Sequence, residues 1–264
     1  MKIKEIEEFI EKLAPNHLQE SYDNSGLLIG NKDSEVNKIL ITLDITDKVI
    51  DEAILKGCDM IISHHPIIFK GLKRLNGDNY VERIVMSALK NDIAIYSLHT
   101  NLDNVYNGVN FKICDVLKIR MRETLKLKQS ELKDTGAGMI GDLDKEQNTL
   151  EFINQVKEGF GAGSVKYTDI LKEKVSKIAV CGGSGSFLLQ DAIEAGADVF
   201  ITSDFTYHQF FDADGKIMII DIGHYEFEKF TSKLILDRLQ PLTRRKESVE
   251  FLLTDTNTNP VNYA

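Results

Sequence analysis

The chain has 264 residues, 42% of them apolar and 28% charged, which suits one large globular domain or two smaller interlinked ones. Its net charge of −9 argues against a general nucleic-acid binder, which would carry a basic footprint. No apolar run reaches the roughly 18 residues that a membrane span requires.

In chain order, MKIKEIEEFIEKLAP places Ile3, Ile6, Phe9, Ile10 and Leu13 at helical spacing and predicts an amphipathic helix. It has neither the apolar core nor the cleavage site of a signal peptide, so a cytoplasmic protein is expected. SYDNSGLLIG (21–30) reads as a turn entering a strand, with Asp23 a carboxylate that could support a site from behind. Short β-rich runs at 38–45, 59–65, 93–99, 177–183, 198–203 and 216–224 alternate with helical patterns at TDKVIDEAILKG, YVERIVMSALKND and SFLLQDAIEAG. That alternation, with near-continuous Ile and Val in the strands, indicates an α/β fold with mixed, largely parallel sheets. Gly57 and Gly196 stand where helix C-caps are expected. Residues 119–176 are charged and irregular, with a strand and turns at TGAGMIGDLD, a helix at DKEQNTLEFINQVKEGFG and a strand at SVKYTDI. From Lys229 a helix (KFTSKLILDRLQ) precedes a strand (SVEFLLTD).

The chain repeats itself. Lys38–Ile62 lies on Lys177–Ile201 without a gap, matching Lys38/Lys177, Ile39/Ile178, Ala53/Ala192, Ile54/Ile193, Gly57/Gly196, Asp59/Asp198 and Ile62/Ile201. Each copy reads strand, turn, helix, Gly, strand. A third strand ends in SLHTNLD in the first copy and in DIGHYEFE in the second, so His99 to Asp103 matches His224 to Glu228 at a different offset. The expected architecture is two similar, interlinked α/β lobes. The first spans 1–125, with about 230–264 packed back on it, and the second spans 126–230. Their strand ends should face a shared cleft, because ligands bind beyond the carboxyl ends of strands in open α/β sheets.

There are six histidines. His64, His65, His99 and His224 stand at predicted carboxyl ends of strands, and His208 follows another in SDFTYHQFFDA. His17 reads as a surface or capping residue. Imidazole with carboxylate is the ligand set for Zn, Mn or Fe, and His224 and Glu228 share a face if a helix begins there. Adjacent imidazoles suit two ions better than one. A dinuclear site, with Asp103 and Glu228 as bridges, is preferred over a buried histidine cluster. CGGSGS (181–186) is either a phosphate-presenting turn or a tight turn that needs positive φ. Lys70, Lys73 and Arg74 either hold substrate phosphates or form a solvated loop. Cys58, Cys114 and Cys181 read as small buried hydrophobes.

SYDNSGLLIG, SHHPIIF, SLHTNLD, CGGSGS, ITSDFTYH and GHYEFE together resemble the signature blocks of the GTP cyclohydrolase I type 2 homologues, also called NGG-interacting-factor-three-like proteins. The resemblance spans nearly the whole chain, in the short form without an inserted middle domain. It implies two interlinked α/β domains, two divalent metal ions held by His64, His65, Asp103, His224 and Glu228, and a ring-shaped homohexamer. His99 is not among the ligands it implies. His99 and His208 are then expected to move protons, and Lys70, Lys73 and Arg74 to bind the triphosphate of a nucleotide-like substrate. The implied activity is hydrolytic opening of the GTP imidazole ring to formate and dihydroneopterin triphosphate. A non-catalytic metal-binding or metal-handling oligomer is the alternative.

Overall fold

The computed structural model describes residues 1–243 and 249–264. Its first elements are α1 (Ile3–Leu13), β1 (Gly26–Ile29), β2 (Lys38–Thr42), α2 (Asp47–Lys56), β3 (Met60–Ser63), α3 (Tyr80–Lys90), β4 (Ala94–Ser97), α4 (Thr100–Asp103) and α5 (Val109–Leu117). Then come β5 (Ile119–Leu127), β6 (Gly136–Asn148), α6 (Thr149–Gly159), β7 (Val165–Tyr167), β8 (Lys174–Val180), α7 (Leu189–Glu194) and β9 (Val199–Thr202). The last are β10 (Met218–Ile222), α8 (His224–Glu228), α9 (Thr231–Thr243) and β11 (Glu250–Leu253). Ser248, the first residue of the expected final strand, lies outside the described residues. The chain forms two compact units, Met1–Leu102 with Phe230–Pro260, and Asp103–Lys229 with Val261–Ala264.

The first unit holds a five-stranded sheet in the order β1-β4-β3-β2-β11. β11, β2, β3 and β4 are parallel, and only β1 runs against its neighbour. The central strand β3 is buried along its length, which accounts for its unbroken apolar run, since helices or chain cover both faces of a parallel sheet. α1 turns Ile3, Ile6 and Ile10 inward, as its spacing predicts. Thr46 caps α2 by accepting from the Val49 amide, and Gly57 ends it in the left-handed conformation with φ 65°.

The second unit holds a six-stranded sheet in the order β5-β6-β8-β9-β10-β7. Its parallel core is β8, β9 and β10, and β5, β6 and β7 join antiparallel. Much of residues 119–148, which the sequence shows only as an irregular stretch with one short strand, is thus regular. The register of β5 slips between Arg120 and Glu123, where Met121 has φ 42°. That bulge breaks the alternation by which a strand is recognised. The helix expected from Asp144 starts at Thr149, because Asn148 is its cap and accepts from the amides of Leu150 and Glu151.

The correspondence between the copies extends to individual hydrogen bonds. The amides of Asn37 and Lys38 donate to Asp59 Oδ2 at 2.7 and 3.0 Å. Those of Ser176 and Lys177 donate to Asp198 Oδ2 at 2.9 Å each. The position that matches the cap Thr46 is Gly185 in the second copy. Without a side-chain cap there, the helix opens as a 3-10 turn at Ser186–Leu188 and α7 has only six residues.

Candidate metal centre

In the first unit β3 and β4 end side by side, with Ser63 paired to Ser97. His64 and His65 follow the first and His99 follows the second. One ligand nitrogen from each of these three rings lies within 4.8 Å of the others. The ring centroids are 4.9 Å apart for His64–His65, 5.3 Å for His64–His99 and 5.4 Å for His65–His99. Adjacent residues here converge because the strand stops at Ser63, so the alternation of faces no longer applies.

Each ring is held at Nδ1. His64 Nδ1 is 2.7 Å from the Leu98 carbonyl, His65 Nδ1 is 2.7 Å from Asp44 Oδ1, and His99 Nδ1 is 2.7 Å from Asp23 Oδ1. A carbonyl or carboxylate accepts, so Nδ1 is the donor in each of these bonds and Nε2 is turned away from them. Thr258 Oγ1 donates to the other oxygen of Asp44 at 2.8 Å. Asp23 also accepts from the amides of Asn24 and Thr100 and from the hydroxyls of Thr100 and Ser25. Burial opposes its charge, but the bonds from His99 and Thr100 hold its carboxyl well below the usual carboxylate range.

In the second unit His224 opens α8 directly after β10, and Glu228 lies one turn on, with His224 Nε2 3.0 Å from Glu228 Oε2. A carboxylate oxygen of Asp103 lies within 4.8 Å of one from Glu228. His224 Nδ1 is held by Asp204 Oδ2 at 2.6 Å. Burial lowers the His224 pKa, but the charge of Glu228 and the bonds to Asp204 and Glu228 outweigh it and push it up to about 11. The same imidazole holds the Asp204 carboxyl below its ordinary value against burial, with help from Ser184. Phe227 anchors the helix in the core, its ring 4.8 Å from that of Phe160.

The Gly-rich turn at 181–186 makes room for these side chains. A Cβ on Gly183, whose φ is +63°, would sit 3.0 Å from Glu228 Oε1, and one on Gly182 would sit 3.2 Å from the same atom. Two of its amides are already engaged, Gly182 with Asn110 Oδ1 and Gly185 with Thr202 Oγ1, both at 2.8 Å. Of its two readings, the tight turn accounts for this geometry.

The remaining candidates lie elsewhere. His208 is exposed on a 3-10 helix, Tyr207–Ala213, with its ring against Tyr207 and Phe211. Lys70, Lys73 and Arg74 are exposed in the loop after the histidine pair and make no hydrogen bond or ion pair with the described residues. His17 is exposed in a short 3-10 turn. All three cysteines are buried, and none forms a disulfide with another described residue.

The sequence does not single out Asp44 and Asp204, which orient His65 and His224. A signal was present for Asp204, since it occupies the position that matches His65 in the repeat. Sheet register also separates His99 from His224. β3 pairs Met60 with Ala94, and β9 pairs the matching Val199 with Met218. Counted from these pairs, His99 falls on Gly223, one residue before His224.

The sequence profile of the Duf34/NIF3 (NGG1p interacting factor 3) family matches residues 1–260. The chain belongs to this family. Among Duf34/NIF3 relatives, a protein of Clostridium perfringens named GTP cyclohydrolase 1 type 2 homolog is 35% identical over the full length of both chains. One of the same name from Clostridium acetobutylicum is 33% identical over 100% of this chain and 99% of its own. The crystal structure of a Bacillus cereus protein related to NIF3 superposes with a TM-score of 0.92 at 25% identity, covering 100% of this chain and 99% of that one. Among the described residues of this Duf34/NIF3 protein, no helix is long and apolar enough to cross a membrane.

Proposed function

We propose that this protein is a divalent-metal-dependent hydrolase, with GTP or a related nucleotide as substrate. In this reading the ligands are His64, His65, Asp103, His224 and Glu228, and they hold a dinuclear centre. The observation that carries the reading is the uniform tether at Nδ1 of His64, His65, His99 and His224. A carboxylate or carbonyl behind each imidazole fixes the orientation of the ring, as it does behind metal-ligating histidines. A cluster buried only for packing has no need of an acceptor at Nδ1 of all four rings. The names of the relatives support a nucleotide substrate.

Zinc, manganese or iron fits this donor set of imidazole and carboxylate. When bound, such ions supply Lewis acidity toward a carbonyl or phosphoryl oxygen. The protein's own residues do the rest. His99, with Asp23 fixing its ring and balancing its charge, takes and returns a proton at Nε2. His208, four residues beyond the Asp204 that orients His224, is a second proton carrier. Lys70, Lys73 and Arg74 have no acidic partner among the described residues, so their charge is available to a triphosphate. The assembly is proposed to be a cytoplasmic homohexameric ring, which light scattering on the purified protein tests.

The deciding experiment is metal analysis of protein purified without added metal, followed by incubation with GTP and related nucleotides. About two ions per chain are expected for a dinuclear centre, with fewer in Glu228→Ala, and formate release from GTP that His64→Ala abolishes. A metal content near zero overturns the reading. Full metal occupancy without turnover of any nucleotide replaces the hydrolase with a metal-binding or metal-handling oligomer.

A further inference from the structure

Residues 258–263 stand behind ligand-bearing elements in each unit. In the first unit Thr258, 8% exposed, donates from Oγ1 to Asp44 Oδ2 at 2.8 Å, and the other oxygen of Asp44 holds His65 Nδ1. In the second unit Tyr263 occupies a seat that two glycines leave open. Its ring lies against Gly163, where a Cβ would come within 3.1 Å of ring carbons Cγ and Cδ2. Its hydroxyl lies against Gly223, where a Cβ would fall 2.5 Å from Oη and 2.1 Å from Glu226 Oε2. The hydroxyl also donates a long bond, 3.4 Å, to Glu226 Oε2.

Gly223 is the residue before His224, and its carbonyl accepts the Phe227 amide at 2.9 Å in the first turn of α8. Tyr263 therefore braces the turn from which His224 and Glu228 project, just as Thr258 braces the carboxylate that fixes His65. Tyr263 is 47% exposed, and both residues whose Cβ space it takes lack a side chain.

We infer that Thr258 and Tyr263 are positioning residues for the ligands of the two units, an inference that rests on the metal reading above. They act through other groups, Thr258 through Asp44 and Tyr263 through Gly223 and Glu226. Supports of this kind set ligand orientation, and their loss characteristically weakens metal binding about 10- to 100-fold.

The test uses the full chain and the variants Thr258→Val, Tyr263→Phe and a deletion of residues 261–264. Mn²⁺ or Zn²⁺ affinity is read by competition with a chromogenic chelator, and amide exchange at Phe227 and Lys229 is read in metal-free protein. Thr258→Val keeps the shape and should weaken binding about tenfold or more with little change in melting temperature. The deletion should do the same and also speed exchange at Phe227 and Lys229 about tenfold, with Tyr263→Phe intermediate. Exchange at wild-type rates in the deletion overturns the inference, as does metal affinity within twofold of wild type in both Thr258→Val and the deletion. If the wild type binds no ion, the metal reading fails and the exchange data alone decide whether Tyr263 braces α8.

Discussion

Asp23 and His99 form a pair 2.7 Å apart, joined from two elements 76 residues distant in the chain. The side chain of Asp23 has no exposed surface and that of His99 has 18%. A buried carboxylate costs free energy unless hydrogen bonds satisfy it, and here five donors do so. The result is a His-carboxylate couple beside His64 and His65 that can stabilise charge on the imidazole.

Asp23→Asn preserves the shape but removes the charge, and an Asn oxygen serves these donors less well. The expected loss is about 2 kcal/mol of stability at pH 7, read by urea unfolding. Because the folded pKa lies below the unfolded value, this contribution is present above about pH 4 and fades as acid protonates the group. The gap between wild type and variant should therefore narrow below that pH. A gap that widens on acidification contradicts the assignment. With active protein, the variant should lower kcat more than it raises KM, as expected when an acid–base group is disarmed.

Gly183→Ala and Gly196→Ala separate backbone strain from site clearance. Both glycines are left-handed, with φ +63° and +73°. A Cβ on Gly183 meets Glu228 Oε1 at 3.0 Å, whereas one on Gly196 meets nothing within 4 Å. Each substitution should cost roughly 1–2 kcal/mol for the left-handed conformation, seen as similar falls in melting temperature. Metal affinity should fall only in Gly183→Ala. Equal affinity in the two variants would show that the turn does not govern the position of Glu228.

The repeat supplies a matched pair of tests. Asp59→Ala and Asp198→Ala each remove an acceptor of two consecutive amides, those of Asn37 and Lys38 at the start of β2 and those of Ser176 and Lys177 within β8. Each should cost about 1–3 kcal/mol in chemical denaturation, with Asp198→Ala at least as costly as Asp59→Ala because Asp198 also pairs with Lys172. A neutral result at either position means that the shared identity has no energetic content there.

That repeat also shows what the sequence discloses about the fold and the site. Strand-helix-strand units with Ile-rich strands and a glycine after the helix are local patterns, so β2, α2 and β3 and their second copies are legible. The cluster of strand-end histidines is legible because their topological position is. β5 is not, because the bulge at Met121 disrupts its alternation. Asp44 and Asp204 act through partners 20 or more residues away, and a lone aspartate after a strand carries no local mark of such a partner. The correspondence of His99 with His224 fails by one residue because sheet pairing, and not spacing from the preceding carboxylate, sets the register.

Glu52 provides a test away from the histidines. It accepts from Lys56 Nζ and Thr254 Oγ1 at 2.6 Å, from Thr256 Oγ1 at 2.6 Å and from the Asp255 amide at 2.8 Å, so it pins the segment after β11 onto α2. Burial works against the charge, but the bonds from Lys56, Thr254 and Thr256 pull its pKa down to about 2. The folded pKa is depressed, so the stabilisation is complete above the unfolded value near 4.3 and is lost as pH falls toward 2. Glu52→Gln should unfold at lower urea than wild type at pH 7, and the two midpoints should converge between pH 4 and pH 2. Exchange of the Thr254 and Thr256 amides should quicken in the variant at pH 7, as the segment loses its anchor. Midpoints that stay equally separated down to pH 2 would mean that the carboxylate charge is not what holds the segment.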